Sequence, residues 1–369
     1  MKIGILTLHE SSNFGACLQA VATYKTLNGL GYDCEFINYT CAEIARREIL
    51  LGTLFEHSLF YRLRVRIKHG DSVRKQRALS QFLRQTDVQK GVIGSERYNR
   101  KNIGLANDKY DIFLVGSDML WCTKFTNADY TYMLDFVKDD TKKFSYATSV
   151  GYYWGEEEKL VLKYLDKFTM LSVRENDMAC KLSEVLNIKV YEVCDPTMLI
   201  EPDIWKKYIS SSKPSKKTYS LVYVDLADGR CLEAACAYSR QNGCLTYLLG
   251  YKKTCRNAQY KLLKAYTVEE FLTAIYHADI LYTSSYHGML FAIYFHVPFV
   301  YYNKDSSRLE CIAKKLNLTT RNGDNYNVGR MDAINWDEVD RLRENFRIES
   351  LSFIKEMGEN WAKNGGKAV

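Results

Sequence analysis

The sequence predicts an α/β protein of two doubly wound lobes facing a cleft, with a C-terminal helix crossing back onto the first. Three observations predict this. The chain has 369 residues, and single hydrophobic cores stop growing at roughly 250–300. In both halves short apolar runs alternate with helically spaced segments, which is the pattern of βαβ units and a parallel sheet. Between the halves, "EPDIWKKYISSSKPSKK" combines two prolines, a serine run and a lysine cluster, the composition of a linker.

The elements follow in order. "KIGILTL" is a short apolar run, and the polar turn after it contains Asn13 and Gly15. "ACLQAVATYKTLNGLGY" has Leu18, Val21, Ala22, Tyr24 and Leu27 at helical spacing, and "DCEFINY" is the next strand. A basic helical insertion is expected over about 45–100. Beyond it, "YDIFLVGSDMLW" and "KKFSYATSVG" are strands ending in small or polar residues. "EEEKLVLKYLDKFTMLSVREND" gives a helix and a strand that stops at Arg174, and "KVYEVCDPT" closes the set, with Pro196 fixing the exit turn. A Rossmann-like first domain is therefore placed at 1–200. The grammar restarts at "TYSLVYVDL" and runs through "GRCLEAACAYSRQNG", "CLTYLLGY", "TVEEFLTAIYHA" and "DILYTSS", a second Rossmann-like domain at 215–325. Val339, Leu342, Phe346, Leu351 and Ile354 then mark a C-terminal helical segment over 333–362.

Composition narrows the function. No apolar run approaches the ~20 residues of a membrane span, and the first segment turns polar at its ninth residue, so a soluble, cytoplasmic chain is expected. Eleven cysteines at irregular spacing signal neither a disulfide framework nor a zinc cage. Six histidines without an H-E-x-x-H pattern give a metal mechanism nothing to stand on. The net charge of +7 is concentrated in "YRLRVRIKHGDSVRKQRALSQFLR", with Arg62, Arg64, Arg66, Lys68, Arg74, Lys75, Arg77 and Arg84 against a single Asp71. Such a run over 62–84 reads either as a solvated helix pair or as a contact for anionic lipid headgroups at the inner membrane face, or for a diphosphate-linked acceptor. No nucleic-acid-binding motif accompanies it.

Ligands of open parallel sheets bind beyond the carboxyl ends of the strands. His287 stands where "ADILYTSS" meets the Gly288 turn, beside Ser285 and ahead of a helix, so its ring and the helix N–H groups would together form an anion site. Arg174 ends a strand of the first sheet and can form bidentate bonds to carboxylate or phosphate. Lys304 and Arg308 are further cations beyond the next strand of the second lobe. Asn13 and Gly15 form a turn with no G-x-G-x-x-G or Walker sequence, which argues against NAD and ATP. Ser117, Asp118 and Trp121 could line an acceptor pocket, the ring for a sugar face and the carboxylate for hydroxyls, although Trp121 reads equally well as core.

Five segments, "SSNFGACLQA", "YDIFLVGSDMLW", "FSYATSVG", "VCDPTMLI" and "TSSYHGMLFAIYFHVPFV", resemble in order the polysaccharide pyruvyltransferase family. The resemblance runs from Met1 to about Arg321. It implies a glycosyltransferase-B-like fold with the acceptor on the first lobe and the donor on the second. The implied co-substrate is phosphoenolpyruvate, with no cofactor. The implied reaction forms a pyruvate ketal on two hydroxyls of a sugar during capsular, exopolysaccharide or cell-wall glycan biosynthesis. His287 and Arg174 would contact the donor with Ser285, Gly288, Asn13, Gly15 and either Lys304 or Arg308. Met119, Leu120 and Cys122 depart from the residues many relatives carry there. Galactose and N-acetylmannosamine are acceptors across the family, and a lipid-diphosphate carrier would suit the basic run. The competing expectations are a sugar-nucleotide glycosyltransferase and a non-catalytic binding protein for glycan assembly.

Overall fold

A computed structural model describes residues 1–48, 69–151, 154–224, 229–251, 259–303, 307–324 and 333–363. The chain divides into two compact units, Met1–Ile200 with Asn345–Val369, and Glu201–Glu344.

The first unit is built on β1 (Lys2–Leu6), β2 (Asp33–Tyr39), β3 (Ile93–Tyr98), β4 (Ile112–Val115) and β5 (Lys143–Ser145). They form a five-stranded sheet in the order β3-β2-β1-β4-β5, and every pairing is parallel. A parallel pair, β6 (Leu171–Val173) and β7 (Val190–Glu192), continues this direction through bridges from Phe144 to Met170 and from Thr148 to Val173. Ile3, Ile5, Ile112, Phe113 and Val115 are fully buried. That is why these strands read as continuous apolar runs: a parallel sheet is covered on both faces.

The helix Phe14–Gly29 is buried on nearly every side and begins at Asn13, whose Oδ1 accepts the N–H groups of Gly15 at 2.7 Å and Ala16 at 3.3 Å. An Asx cap of this kind satisfies donors that have no partner inside the helix. The helix Gly70–Arg84 packs on it through Val73, Leu79 and Leu83, with Lys75 Nζ 3.9 Å from the centre of the Phe14 ring. Arg74, Arg77 and Arg84 on that helix are exposed. Arg62, Arg64, Arg66 and Lys68 lie outside the described residues.

The second unit repeats the plan with β8 (Tyr219–Tyr223), β9 (Leu245–Leu249), β10 (Lys261–Leu263), β11 (Ile280–Thr283) and β12 (Phe299–Tyr301). The order is β10-β9-β8-β11-β12, again all parallel. Both sheets therefore reverse strand order beside their first strand, at β1/β4 and at β8/β11, the topological switch points where open α/β sheets bind ligands.

The helix Trp336–Lys363 starts in the second unit and passes into the first at Asn345. There Ser350 Oγ accepts the Cys194 N–H at 2.8 Å, Tyr191 donates its hydroxyl to Glu356 at 2.9 Å, and Phe353 packs edge-on against Tyr191. No helix among the described residues is long and apolar enough to cross a membrane.

Three details differ from the sequence reading. The insertion expected to be helical contains β3, whose "IGSERY" lies on the sheet edge with its middle residues exposed and so has no apolar signature. The expected linker contains the helix Pro202–Lys206, which buries Trp205 edge-on against Phe291 at 5.5 Å. β10 was also missed: "KLL" is short and half-exposed at the sheet's edge.

Gly116 closes β4 at φ +125°, and a Cβ there would lie 2.0 Å from the Tyr146 carbonyl oxygen. Gly116→Ala is expected to lower stability by about 3 kcal/mol or more in urea denaturation, and a loss below about 1 kcal/mol would contradict this packing.

Candidate functional site

At the first switch point the carboxyl end of β1 and the turn after β4 are joined by Gln19, which is fully buried. Its Nε2 donates to Thr7 Oγ1 and to the Ala16 carbonyl, both at 2.9 Å, while its Oε1 accepts the Ser117 N–H at 3.2 Å. Ser117 is also fully buried, and its hydroxyl donates to the Ala147 carbonyl at 2.8 Å. It therefore fixes the turn and offers a sugar no free surface. Asp118 follows at φ +79°, and its carbonyl accepts the Ser149 N–H at 2.9 Å.

Arg174, just beyond β6, is 5% exposed. Its Nη1 donates to Asp195 Oδ2 at 2.8 Å, and its Nη2 lies 3.7 Å from Asp118 Oδ1. Asp195 has no exposed surface, and its other oxygen accepts both the N–H and the hydroxyl of Thr197, capping the turn that Pro196 begins. The neighbouring Glu175, 4% exposed, accepts the Ser149 hydroxyl at 2.5 Å. The edge thus gathers one guanidinium and three carboxylates, from Asp118, Glu175 and Asp195, so Arg174 is already oriented by acids.

Trp121 does not line a pocket. It has no exposed surface, its indole N–H donates to the Tyr132 carbonyl at 2.9 Å, and its ring meets Phe168 edge-on. A large aromatic whose only donor finds an internal partner is core. Asn13 and Gly15 are likewise accounted for by the helix cap described above. Burial raises the Cys194 thiol to about 12 and the Cys41 thiol to about 11, which removes both as thiolate nucleophiles at neutral pH.

At the second switch point β11 leads through Ser284 to Ser285, which caps the helix Tyr286–Tyr294 by accepting the Gly288 N–H at 3.4 Å. Thr283 ties the two strand ends together: its hydroxyl donates to the Tyr223 carbonyl at the end of β8 at 2.5 Å and accepts the Ser285 N–H at 3.0 Å. A Cβ on Gly288 would lie 2.8 Å from both Thr283 Oγ1 and the Tyr223 ring, so only glycine lets this helix approach so closely. His287 sits in the first helical turn, 7% exposed, with its ring edge-on to Tyr286 at 5.5 Å. Arg308 begins the helix Arg308–Lys315 and is half-buried. Lys304 lies outside the described residues. A cation the sequence reading passed over, Arg230, reaches the same edge from the helix after β8, close to Asp324 and 5.3 Å from the Tyr302 ring centre.

The structure therefore brings Ser285, His287 and Gly288 together at one switch point, and Ser117, Asp118 and Arg174 at the other. Sequence reasoning missed Gln19, Glu175 and Asp195. Gln19 lies within the segment "SSNFGACLQA" and Asp195 precedes Pro196, but neither position carries a spacing signal.

Two doubly wound units of this topology have the glycosyltransferase-B fold. In accord with this, the structure resembles a putative UDP-N-acetylglucosamine 2-epimerase from Listeria monocytogenes, with a TM-score of 0.55 at 10% identity over 93% of this chain and 90% of that one. It is similar to the UDP-GlcNAc 2-epimerase of Methanocaldococcus jannaschii, solved with UDP-GlcNAc and UDP, with a TM-score of 0.50 at 12% identity over 94% and 99% of the two chains. At such identities the likeness shows the fold. None of the curated proteins matches the chain at a significant level. The chain belongs to the polysaccharide pyruvyl transferase family, whose profile matches residues 13–306.

Removing one partner of a buried ion pair strands the other charge. Asp195→Ala is therefore expected to cost about 3–5 kcal/mol in urea denaturation, and a cost below about 1 kcal/mol would mean that Arg174 is oriented by something else.

Proposed function

We propose that this protein transfers the enolpyruvyl-derived group of phosphoenolpyruvate to two hydroxyls of one sugar, forming a pyruvate ketal in the synthesis of a surface glycan. Family membership over residues 13–306 carries the reading. His287 in the first turn of a helix at a switch point supports it, because helix N–H groups favour an anion and an imidazole beside them can serve as a proton donor or hydrogen-bonding ligand.

In the proposed reaction an acid protonates the methylene carbon of phosphoenolpyruvate. The positive charge developing at C2 is captured by one sugar hydroxyl, which gives up its proton. The C2–O bond to phosphate then breaks, and the second hydroxyl of the same sugar closes the ketal and loses its own proton. One phosphoenolpyruvate and one diol give one ketal and one inorganic phosphate, with no redox step. His287 is the proposed acid or phosphate ligand, and Lys304 or Arg308 the cation on the donor's other end. Arg174, held by Asp195, is a proposed contact for the donor carboxylate. The exposed arginines of the helix Gly70–Arg84 are a proposed contact for a lipid-diphosphate-linked acceptor at a membrane surface.

Phosphate release from phosphoenolpyruvate should require a sugar acceptor, and His287→Ala should lower turnover at least ~100-fold if the imidazole is the acid. Phosphoenolpyruvate should also raise the melting temperature by mass action. A thermal shift with UDP and none with phosphoenolpyruvate would instead favour a sugar-nucleotide transferase.

A further inference from the structure

The chain that follows the helix Gly70–Arg84 holds an apolar side chain out into water. Val88 is 79% exposed, the most exposed large hydrophobic side chain among the described residues. Surface hydrophobics scattered singly need no explanation, but this one stands on a turn that is clamped. Asp87 accepts the Tyr24 hydroxyl at 2.8 Å through Oδ2 and the Lys90 N–H at 3.0 Å through Oδ1, while its carbonyl accepts the Gly91 N–H at 3.1 Å. Tyr24 is 2% exposed in the helix Phe14–Gly29, so the turn is tied to the core of the first unit. Gly91 closes it at φ +74°, a conformation glycine adopts without strain. The Lys90 N–H and the Tyr24 hydroxyl hold the Asp87 carboxyl below its ordinary range, which keeps the clamp intact at neutral pH. A side chain presented by an ordered turn loses little freedom on docking.

The helix leading into this turn shows solvent one stripe. Arg74, Arg77, Gln81 and Arg84 are exposed at spacings of three and four, whereas Val73, Gln76, Leu79 and Leu83 are buried on the other side. Three arginines thus stand on one face along about 15 Å of helix. Neither acid between Gly70 and Gly91 is exposed, since Asp71 and Asp87 are both half-buried. Arg84 is paired with Glu10 at 3.2 Å, but with side chains 58% and 27% exposed the pair is weak and exchanges readily for another anion.

The phosphate backbone of a nucleic acid would meet the arginines and leave Val88 in water. A bilayer with anionic headgroups satisfies both, with phosphates at its surface and acyl chains just beneath them. We propose that the turn 87–91 is an apolar anchor that seats Val88 at the acyl boundary of an anionic phospholipid bilayer, with Arg74, Arg77 and Arg84 on the headgroup phosphates. The bilayer itself is then a ligand of the first unit, bound whether or not a glycan is present. That the docked bilayer delivers the acceptor rests on the transferase reading above.

The test is co-sedimentation of the full chain with vesicles of phosphatidylcholine, alone or mixed equally with phosphatidylglycerol, in the absence of phosphoenolpyruvate and glycan. Binding is expected to the mixed vesicles only, and it should weaken as salt is raised. A basic residue near an anionic surface is worth about fivefold in affinity, so Arg74→Ala with Arg77→Ala should lose about 25-fold. Val88→Leu adds a methylene and should tighten binding up to about fourfold, whereas Val88→Ser should weaken it by at least as much. All three positions are exposed, and unchanged melting curves are the control. No binding, equal binding to both vesicle types, or mixed-vesicle binding that survives loss of the two arginines overturns the inference. A response to the arginines with none to Val88 also overturns it, and marks the face as a site for nucleic acid or a soluble polyphosphate. Phosphoenolpyruvate thermal shifts on the same protein separate the two claims. Stabilisation by phosphoenolpyruvate without vesicle binding removes the anchor alone, whereas vesicle binding that follows Val88, without any effect of phosphoenolpyruvate, supports the anchor and removes the transferase reading.

Discussion

The first unit depends on one buried carboxamide. Gln19 comes from the first helix, yet it bonds the end of β1 through Thr7 and the turn after β4 through Ser117. Without it the fully buried Ser117 N–H would have no partner, at a cost of about 1–3 kcal/mol. That bond fixes where β4 ends. Gly116 at φ +125° and Asp118 at φ +79° flank the bonded Ser117, and the Asp118 carboxylate lies 3.7 Å from Arg174 Nη2. One carboxamide in a well-packed helix thus ties together the carboxyl ends of β1 and β4.

The second unit solves the same problem with a hydroxyl. Thr283 bridges the ends of β11 and β8, the two strands that correspond to β4 and β1, and it also receives the Ser285 N–H. The outcome differs in kind. In the first unit the turn beyond the switch point is lined by carboxylates around a single arginine, while in the second a helix starts there with histidine in its first turn.

Much of this was legible in the sequence because buried parallel strands leave an unambiguous trace. "DCEFINY" coincides with β2, and the helices around Leu162, Leu232 and Phe271 fall where their spacing put them. The edge strands β3 and β10 were not legible, because exposure on an edge removes the apolar run. Trp205 was hidden in polar company: its neighbours looked like a linker, and only the packed structure shows the ring against Phe291. Trp121 was open in the sequence between core and acceptor pocket, since a tryptophan beside a strand-end aspartate looks like a sugar platform until its N–H is found bonded inside the core. Strand-end positions such as those of His287, Arg174 and Asp118 were visible because topology alone puts strand ends at one edge.

The central claim is chemical: carbon 2 of phosphoenolpyruvate ends up bonded to two oxygens of one sugar. Incubating the protein with [2-13C]phosphoenolpyruvate and an acceptor glycoside, and following the label by 13C NMR, tests it directly. The account predicts that the enol carbon signal is replaced by that of a quaternary ketal carbon showing three-bond couplings to two protons of the sugar ring. Label that stays in phosphoenolpyruvate with every acceptor, or appears only as free pyruvate, would contradict it.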